Sequence, residues 1–195
     1  MKATFALLAN REIYNLVRKL AWEVHRKYHT GIDVTRLPPH ISLKQPFDIS
    51  DLALLEDYMF ELAGSISPFE VTLTGLQIVP AKTGELDSGI LWIEVQETEL
   101  LRGLHGRLNH ELEQRIGNAQ ASFDGAAYHF HMTVAIGGQP FEVYQKILDE
   151  FSGRVMNLRS TVQELALFGY DDEASLDKGY LTYMVLPLGK QDTNE

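Results

Sequence analysis

The feature that most constrains this chain is an internal repeat. Residues 40–43, His-Ile-Ser-Leu, fall on residues 131–134, His-Met-Thr-Val, at an offset of 91. The same offset lays residues 70–76, Glu-Val-Thr-Leu-Thr-Gly-Leu, on residues 161–167, Thr-Val-Gln-Glu-Leu-Ala-Leu. One residue less lays Gly89-Ile-Leu-Trp-Ile-Glu-Val95 on Gly179-Tyr-Leu-Thr-Tyr-Met-Val185. Identity is slight, but order, residue type and spacing agree. The expectation is a single bilobal domain over 1–190, with pseudo-repeats of roughly 1–88 and 89–188 facing each other and a polar tail at 191–195.

Local patterns give each repeat the same content. A strand is expected near 3–9, then a helix from Asn10 to about Lys27 with Asn10 as its cap and Ile13, Leu16, Val17, Leu20 and Val24 as one apolar stripe. Gly31 and Pro38-Pro39 punctuate a loop before a strand at 40–44. Ser50 is expected to cap a second helix to about Ala63, followed by strands near 69–79 and 90–96 joined by a polar loop at 80–89. The second round begins with Thr98 capping a helix to Ile116. A loop with Gly117, Asn118 and Gly125 leads to a strand at 128–136, a short helix at about 141–151 and strands near 159–169 and 179–187. The fold class is therefore α+β: a doubled β-α-β-α-β unit, mostly antiparallel sheets around a central cleft, helices outside.

Composition bounds the function. With no cysteine among 195 residues, disulfides, thiolate metal sites and a cysteine nucleophile are excluded. No stretch approaches the roughly 20 apolar residues that span a bilayer, and the first apolar run, residues 5–9, is too short for a secretory leader. A cytoplasmic protein without membrane contact is the default. A net charge of −10 argues against tracking along a nucleic acid. The charge is uneven, +5 over residues 1–47 and −15 over the remainder. A solvated basic face on the first helix (Arg11, Arg18, Lys19, Arg26, Lys27) is the favoured account, and local attraction of phosphate by Arg36 and Lys44 the sharper one.

The chemistry lies in the repeated motif. Of seven histidines, at 25, 29, 40, 105, 110, 129 and 131, His40 and His131 alone have a hydroxyl residue two positions on, Ser42 and Thr133. On a strand, residues i and i+2 share a face, so each motif aims an imidazole and a hydroxyl into one space. A single His-x-Ser/Thr is expected by chance. Two of them, in register within a duplication, are not. Two imidazoles titrating near neutrality can take a proton from an attacking oxygen and give one to a leaving oxygen, while the hydroxyls hold non-bridging phosphoryl oxygens. The scheme requires neither metal nor cofactor.

These paired His-apolar-Ser/Thr-apolar motifs, with Pro39 just before the first and the doubled βαβαβ order, resemble the two-histidine (2H) phosphoesterases, which include the 2′-5′ RNA ligase-like proteins and cyclic nucleotide phosphodiesterases. The resemblance covers roughly residues 1–188. It implies that His40 and His131 are the acid–base pair and that Ser42 and Thr133 bind phosphate, in a cleft between two lobes. It further implies a small substrate, such as a 2′,3′-cyclic phosphate or a 2′-5′ linkage on a nucleotide or RNA end. Phe130 stands where a proline is common, and His129 is an additional histidine.

His129 supports a rival reading, a zinc site of His40, His129 and His131. Another is a non-catalytic module binding nucleotides or RNA ends. Lys44, on the expected strand face of His40 and Ser42, is a further substrate-binding candidate. Tyr128 and Phe130 read as core. Trp92 and Tyr183, at near-equivalent positions, read as packing before base-stacking. The loops at 80–89 and 171–179 are candidates for the rim, and Asp171-Asp172-Glu173 reads as solvated surface. His25/His29 and His105/His110 read as surface or packing residues.

Overall fold

A computed structural model of the chain describes residues 1–117, 119–170 and 179–189. The expectations at Asn118, at the rim loop over 171–178 with its Asp171-Asp172-Glu173 run, and at the tail lie outside the described residues. The chain begins with β1 (Lys2–Leu8), α1 (Arg11–Tyr28), β2 (His40–Ser42), β3 (Phe47–Asp48), α2 (Glu56–Ser65) and β4 (Phe69–Thr83). It continues with β5 (Leu86–Val95), α3 (Glu99–Ile116), β6 (His131–Pro140), α4 (Phe141–Phe151), β7 (Leu158–Val162), β8 (Glu164–Tyr170) and β9 (Tyr180–Pro187).

Two antiparallel sheets form. The first runs β2-β1-β8-β9, with β3 also on β1; the second runs β6-β5-β4-β7. Each unit puts its first two strands into one sheet and passes a later strand to the other. Thus β4 pairs with β5 rather than β1, and β8 pairs with β1. In this topology β5 corresponds to β1. The expected match of residues 89–95 with 179–185 is therefore corrected: β5 is central, and β9 lies at the end of the other sheet. Apolar alternation looks the same in a central strand and an edge strand, so it could not separate them.

The local signals act as their chemistry dictates. Asn10 accepts the Ile13 amide at 3.0 Å and Thr98 the Leu101 amide at 3.2 Å, each cap contributing about 1 kcal/mol. Ile13, Val17, Leu20 and Val24 are buried. The second helix departs from expectation: Asp51, not Ser50, caps a short 3-10 turn over Leu52–Leu55, and α2 follows it. Residues 80–89 are not a loop. Strands β4 and β5 continue to Thr83 and Leu86 around a two-residue turn whose first residue, Gly84, has φ 62°. Pro80 is tolerated there because β7 covers only Phe69–Leu73, leaving that part of β4 an edge. The expected strand at 159–169 breaks at Gln163, where the chain leaves one sheet and enters the other.

Helix α1 lies against β6 and α4, α4 covers β4 and β5, and α2 covers β8 and β9. The loop after α1 touches the far lobe directly, since the Gly31 amide donates to the Gly137 carbonyl at 3.0 Å. A Cβ on Gly31 would meet the Ile136 carbonyl oxygen at 2.3 Å, so only glycine permits this approach. Among the described residues, no helix is long and apolar enough to cross a membrane.

Candidate active site

The two motifs open corresponding strands. His40 begins β2 and His131 begins β6, each the edge strand of its sheet, and each packs beside the strand that opens its unit. The registers match: His40 faces Leu8 and Ser42 faces Ala6, while His131 faces Glu94 and Thr133 faces Trp92. Alternation then buries Ile41, Leu43, Met132 and Val134 and leaves both histidines and both hydroxyls partly accessible.

Both imidazoles are anchored in the same way. Nδ1 of His40 lies 2.8 Å from the carbonyl of Pro38, and Nδ1 of His131 lies 2.9 Å from the carbonyl of His129. A carbonyl can only accept, so each Nδ1 carries a proton and donates it. In the neutral ring, Nε2 is therefore the basic nitrogen. Burial lowers the pKa of His40 to about 4, with the neighbouring His131 acting in the same direction. Burial also lowers that of His131, against which Glu94 acts upward.

The rings differ in what they lean on. His40 meets Phe168 edge-on, centroids 4.7 Å apart at 74°. His131 stacks on Trp92, 4.2 Å apart at 26°. A cleft of about 350 Å³ is lined by His40, Ser42 and Thr133, with Arg18, Tyr170 and Tyr180 among its walls. Leu37, one of its lining residues, belongs to a small buried apolar cluster with Ala6, Ala166 and Phe168.

The expectation for Lys44 is overturned. Strand β2 ends at Ser42, so alternation no longer governs residue 44, and its side chain turns inward, fully buried. Its Nζ donates to Asn109 Oδ1 at 2.7 Å and forms an ion pair with Asp124. It has no access to a phosphate. Asp124 also accepts the amides of Gln45 at 3.0 Å and Ala121 at 3.1 Å. This buried knot ties the end of β2 to the loop that leads to His131.

His105, read as a surface or packing residue, packs and also bridges backbone segments. Buried on α3, it donates from Nδ1 to the Leu43 carbonyl at 2.8 Å and accepts the Gly125 amide at Nε2 at 2.9 Å. Tyr128, stacked on it, donates to the Ser42 carbonyl at 2.9 Å. Tyr128 and Phe130 are core, as expected. Arg18 is not simply part of a solvated face: it hydrogen-bonds the carbonyls of Thr35 and Leu37 and so holds the loop before His40. Arg36 pairs with Asp33 at 3.2 Å. Tyr183 bonds Glu56 of α2, away from the cleft, whereas Trp92 belongs to the site. No sequence signal marks this bridging role of His105, because the Leu43 carbonyl and the Gly125 amide that it joins lie 62 and 20 residues away.

The three-histidine zinc arrangement is not assembled. His129 is 70% exposed and lies 3.9 Å from Glu94. Among the described residues, no three His, Cys, Asp or Glu side chains are placed to hold a metal ion.

Comparison with known proteins identifies the fold and the family. The structure resembles TT0787 of Thermus thermophilus with a TM-score of 0.66 at 18% identity, covering 98% of this chain and 100% of that one. It resembles E. coli LigT, solved with 3′-AMP, with a TM-score of 0.58 at 18% identity, covering 97% and 98%. A further structure described as a phosphoesterase gives 0.58 at 15% identity, covering 97% and 99%. These likenesses establish the fold. No curated protein matches the sequence. The model of the 2′-5′ RNA ligase superfamily matches residues 10–174, most of the chain and both motifs. The chain therefore belongs to the 2′-5′ RNA ligase superfamily, the two-histidine phosphoesterases.

Proposed function

We propose that this protein is a metal-independent phosphodiesterase in which His40 and His131 share acid–base work on a small cyclic or 2′-5′ phosphodiester. The observation that carries the reading is the matched anchoring of the two imidazoles. Two rings on corresponding strands, each with Nδ1 committed to the carbonyl two residues earlier, leave two Nε2 atoms for proton transfer. In-line displacement at phosphorus requires such a pair, one nitrogen accepting and one donating. Ser42 and Thr133, on the same faces, donate hydrogen bonds to the non-bridging oxygens.

A cleft of about 350 Å³ suits a nucleotide better than a folded RNA, and the net charge of −10 disfavours long polyanions. LigT has been solved with 3′-AMP, ATP and NADP+, all small nucleotides. A cytoplasmic setting, with RNA ends or nucleoside 2′,3′-cyclic phosphates as substrates, fits these features.

The test is hydrolysis of a nucleoside 2′,3′-cyclic phosphate with and without EDTA, beside the His40→Ala/His131→Ala double variant. Turnover that survives EDTA and vanishes in the variant is expected. Binding of 3′-AMP without turnover of cyclic or 2′-5′-linked substrates would replace the enzyme by a binding module.

A further inference from the structure

Strands β2 and β6 come together at the cleft from different sheets, and no strand pairing joins them among the described residues. Their spacing is set by bonds outside the ladders. The Leu43 amide donates to the Phe5 carbonyl at 2.8 Å, so Ser42 and Ala6 form a non-hydrogen-bonded pair and the Ser42 carbonyl points away from β1. Its partner comes from the side of the other motif. The hydroxyl of Tyr128, three residues before His131, donates to it at 2.9 Å. Burial, with Asp124 nearby, raises the pKa of Tyr128 above the ordinary phenol range, so the hydroxyl keeps the proton it donates.

The segment carrying Tyr128 is itself held by one face of α3. Arg102, His105 and Asn109 are spaced three and four residues apart and lie along one stripe of that helix. Arg102 donates to the carbonyls of Gly125 at 2.7 Å and Tyr128 at 2.8 Å. His105 joins the Leu43 carbonyl to the Gly125 amide, and its ring stacks on Tyr128 with centroids 4.2 Å apart. Asn109 accepts from Lys44, two residues past Ser42, at 2.7 Å. The helix thus grips the chain just after the first motif and just before the second.

We propose that Tyr128 is a positioning residue of the site: held by α3, it fixes the Ser42 peptide relative to His131 and so aims the Ser42 hydroxyl at the phosphoryl group. This rests on the reading of Ser42 as a phosphate ligand under the proposed function. Tyr128 is buried and does not line the cleft, so it acts through Ser42 and not on the substrate. Without its bond the Ser42 peptide is free to turn about the Cα–C bond, and the hydroxyl moves with it. A misplacement of about 1 Å in such a site costs on the order of 10²-fold in rate.

The test is a double-mutant cycle on Tyr128→Phe and Ser42→Ala. We would measure kcat and KM for a nucleoside 2′,3′-cyclic phosphate at a temperature where all four proteins are folded. Tyr128→Phe keeps the ring that stacks on His105 and removes one bond. It should lower kcat by about 10–10²-fold, and by no more than Ser42→Ala does. In the Ser42→Ala background the loss should vanish, because the hydroxyl that Tyr128 aims is gone. A tyrosine with a structural role alone lowers the thermal midpoint, and the two rate losses then multiply. Multiplying losses, or a Tyr128→Phe variant as fast as the wild type, would overturn the proposal. Affinity for 3′-AMP in the same four proteins separates this inference from the reading beneath it. Coupled losses of affinity without turnover would keep the positioning and remove the enzyme. Turnover with uncoupled losses would keep the enzyme and remove the positioning.

Discussion

The two histidine-bearing edges are built from the same topological parts and finished differently. On the first sheet, His40 stands over apolar neighbours, with Ala6 and Leu8 on the adjacent strand and Phe168 beyond. On the second, His131 has Trp92 and Glu94. Behind the motifs the contrast repeats. Lys44 sits in a buried ion pair, and Ala135, the residue at the same offset in the second repeat, is a buried alanine. The two imidazoles share their anchoring, and the neighbouring strands surround them differently. The backbone of a duplicated site can thus be conserved in geometry while its chemistry is set by cross-strand side chains.

The largest break of this comparison is loss of an imidazole. His40→Ala and His131→Ala should each reduce kcat/KM on a 2′,3′-cyclic phosphate by about 10²–10⁴-fold without a change in thermal midpoint. Retained activity in one of them would mean that the other acts alone. Removing the buried ion pair tests the asymmetry behind these edges. Asp124→Ala leaves the Lys44 ammonium buried without its partner and should cost about 3–5 kcal/mol in urea unfolding. A loss within experimental error would mean that the pair is open to solvent.

Smaller effects separate the hydroxyls. Ser42→Ala and Thr133→Val should each lower kcat by roughly ten- to a thousandfold, the scale of a lost oxyanion donor. A deeper loss on one side would show which edge bears the developing charge. A further expected effect is on stability against pH. His40 has a folded pKa near 4 against an ordinary 6.5, so the unfolded chain binds more protons between those values. Its contribution is complete above about 6.5 and is lost as pH falls towards 4. His40→Gln should flatten that acid slope. Leu8→Glu, which copies the carboxylate of the second edge onto the first, should raise the pKa of His40, reduce the slope and move the acid limb of kcat/KM to higher pH. An unchanged slope in both variants would assign the acid instability to other groups.

Much of this was legible in the sequence where information is local. The caps Asn10 and Thr98, the stripe of α1 and the face shared by His40 with Ser42 follow from spacing alone. Non-local geometry was not legible. Lys44 has the right spacing for the cleft, but β2 stops two residues earlier, and only tertiary contacts with Asn109 and Asp124 show where it turns. Gln163 has no glycine or proline beside it to mark the passage between sheets. Trp92 looks like any buried strand aromatic until β6 is laid beside β5. The hairpin at 80–89 was obscured because its polar and proline residues occupy a strand edge open to solvent.

The exchange of strands between the units has a consequence for how such a protein can come apart or come into being. The first unit alone would send β4 out with no β5 to receive it and leave β1 waiting for β8. Neither half is a closed domain, so a break in one sheet strips a central strand from the other, and both histidines lose their frame in the same event. A single ancestral unit would meet the same demand only by trading its last strand with a second copy of itself. In that arrangement the site exists only as a property of the pair, and fusing two genes into one chain makes the partnership permanent while freeing each edge to change on its own.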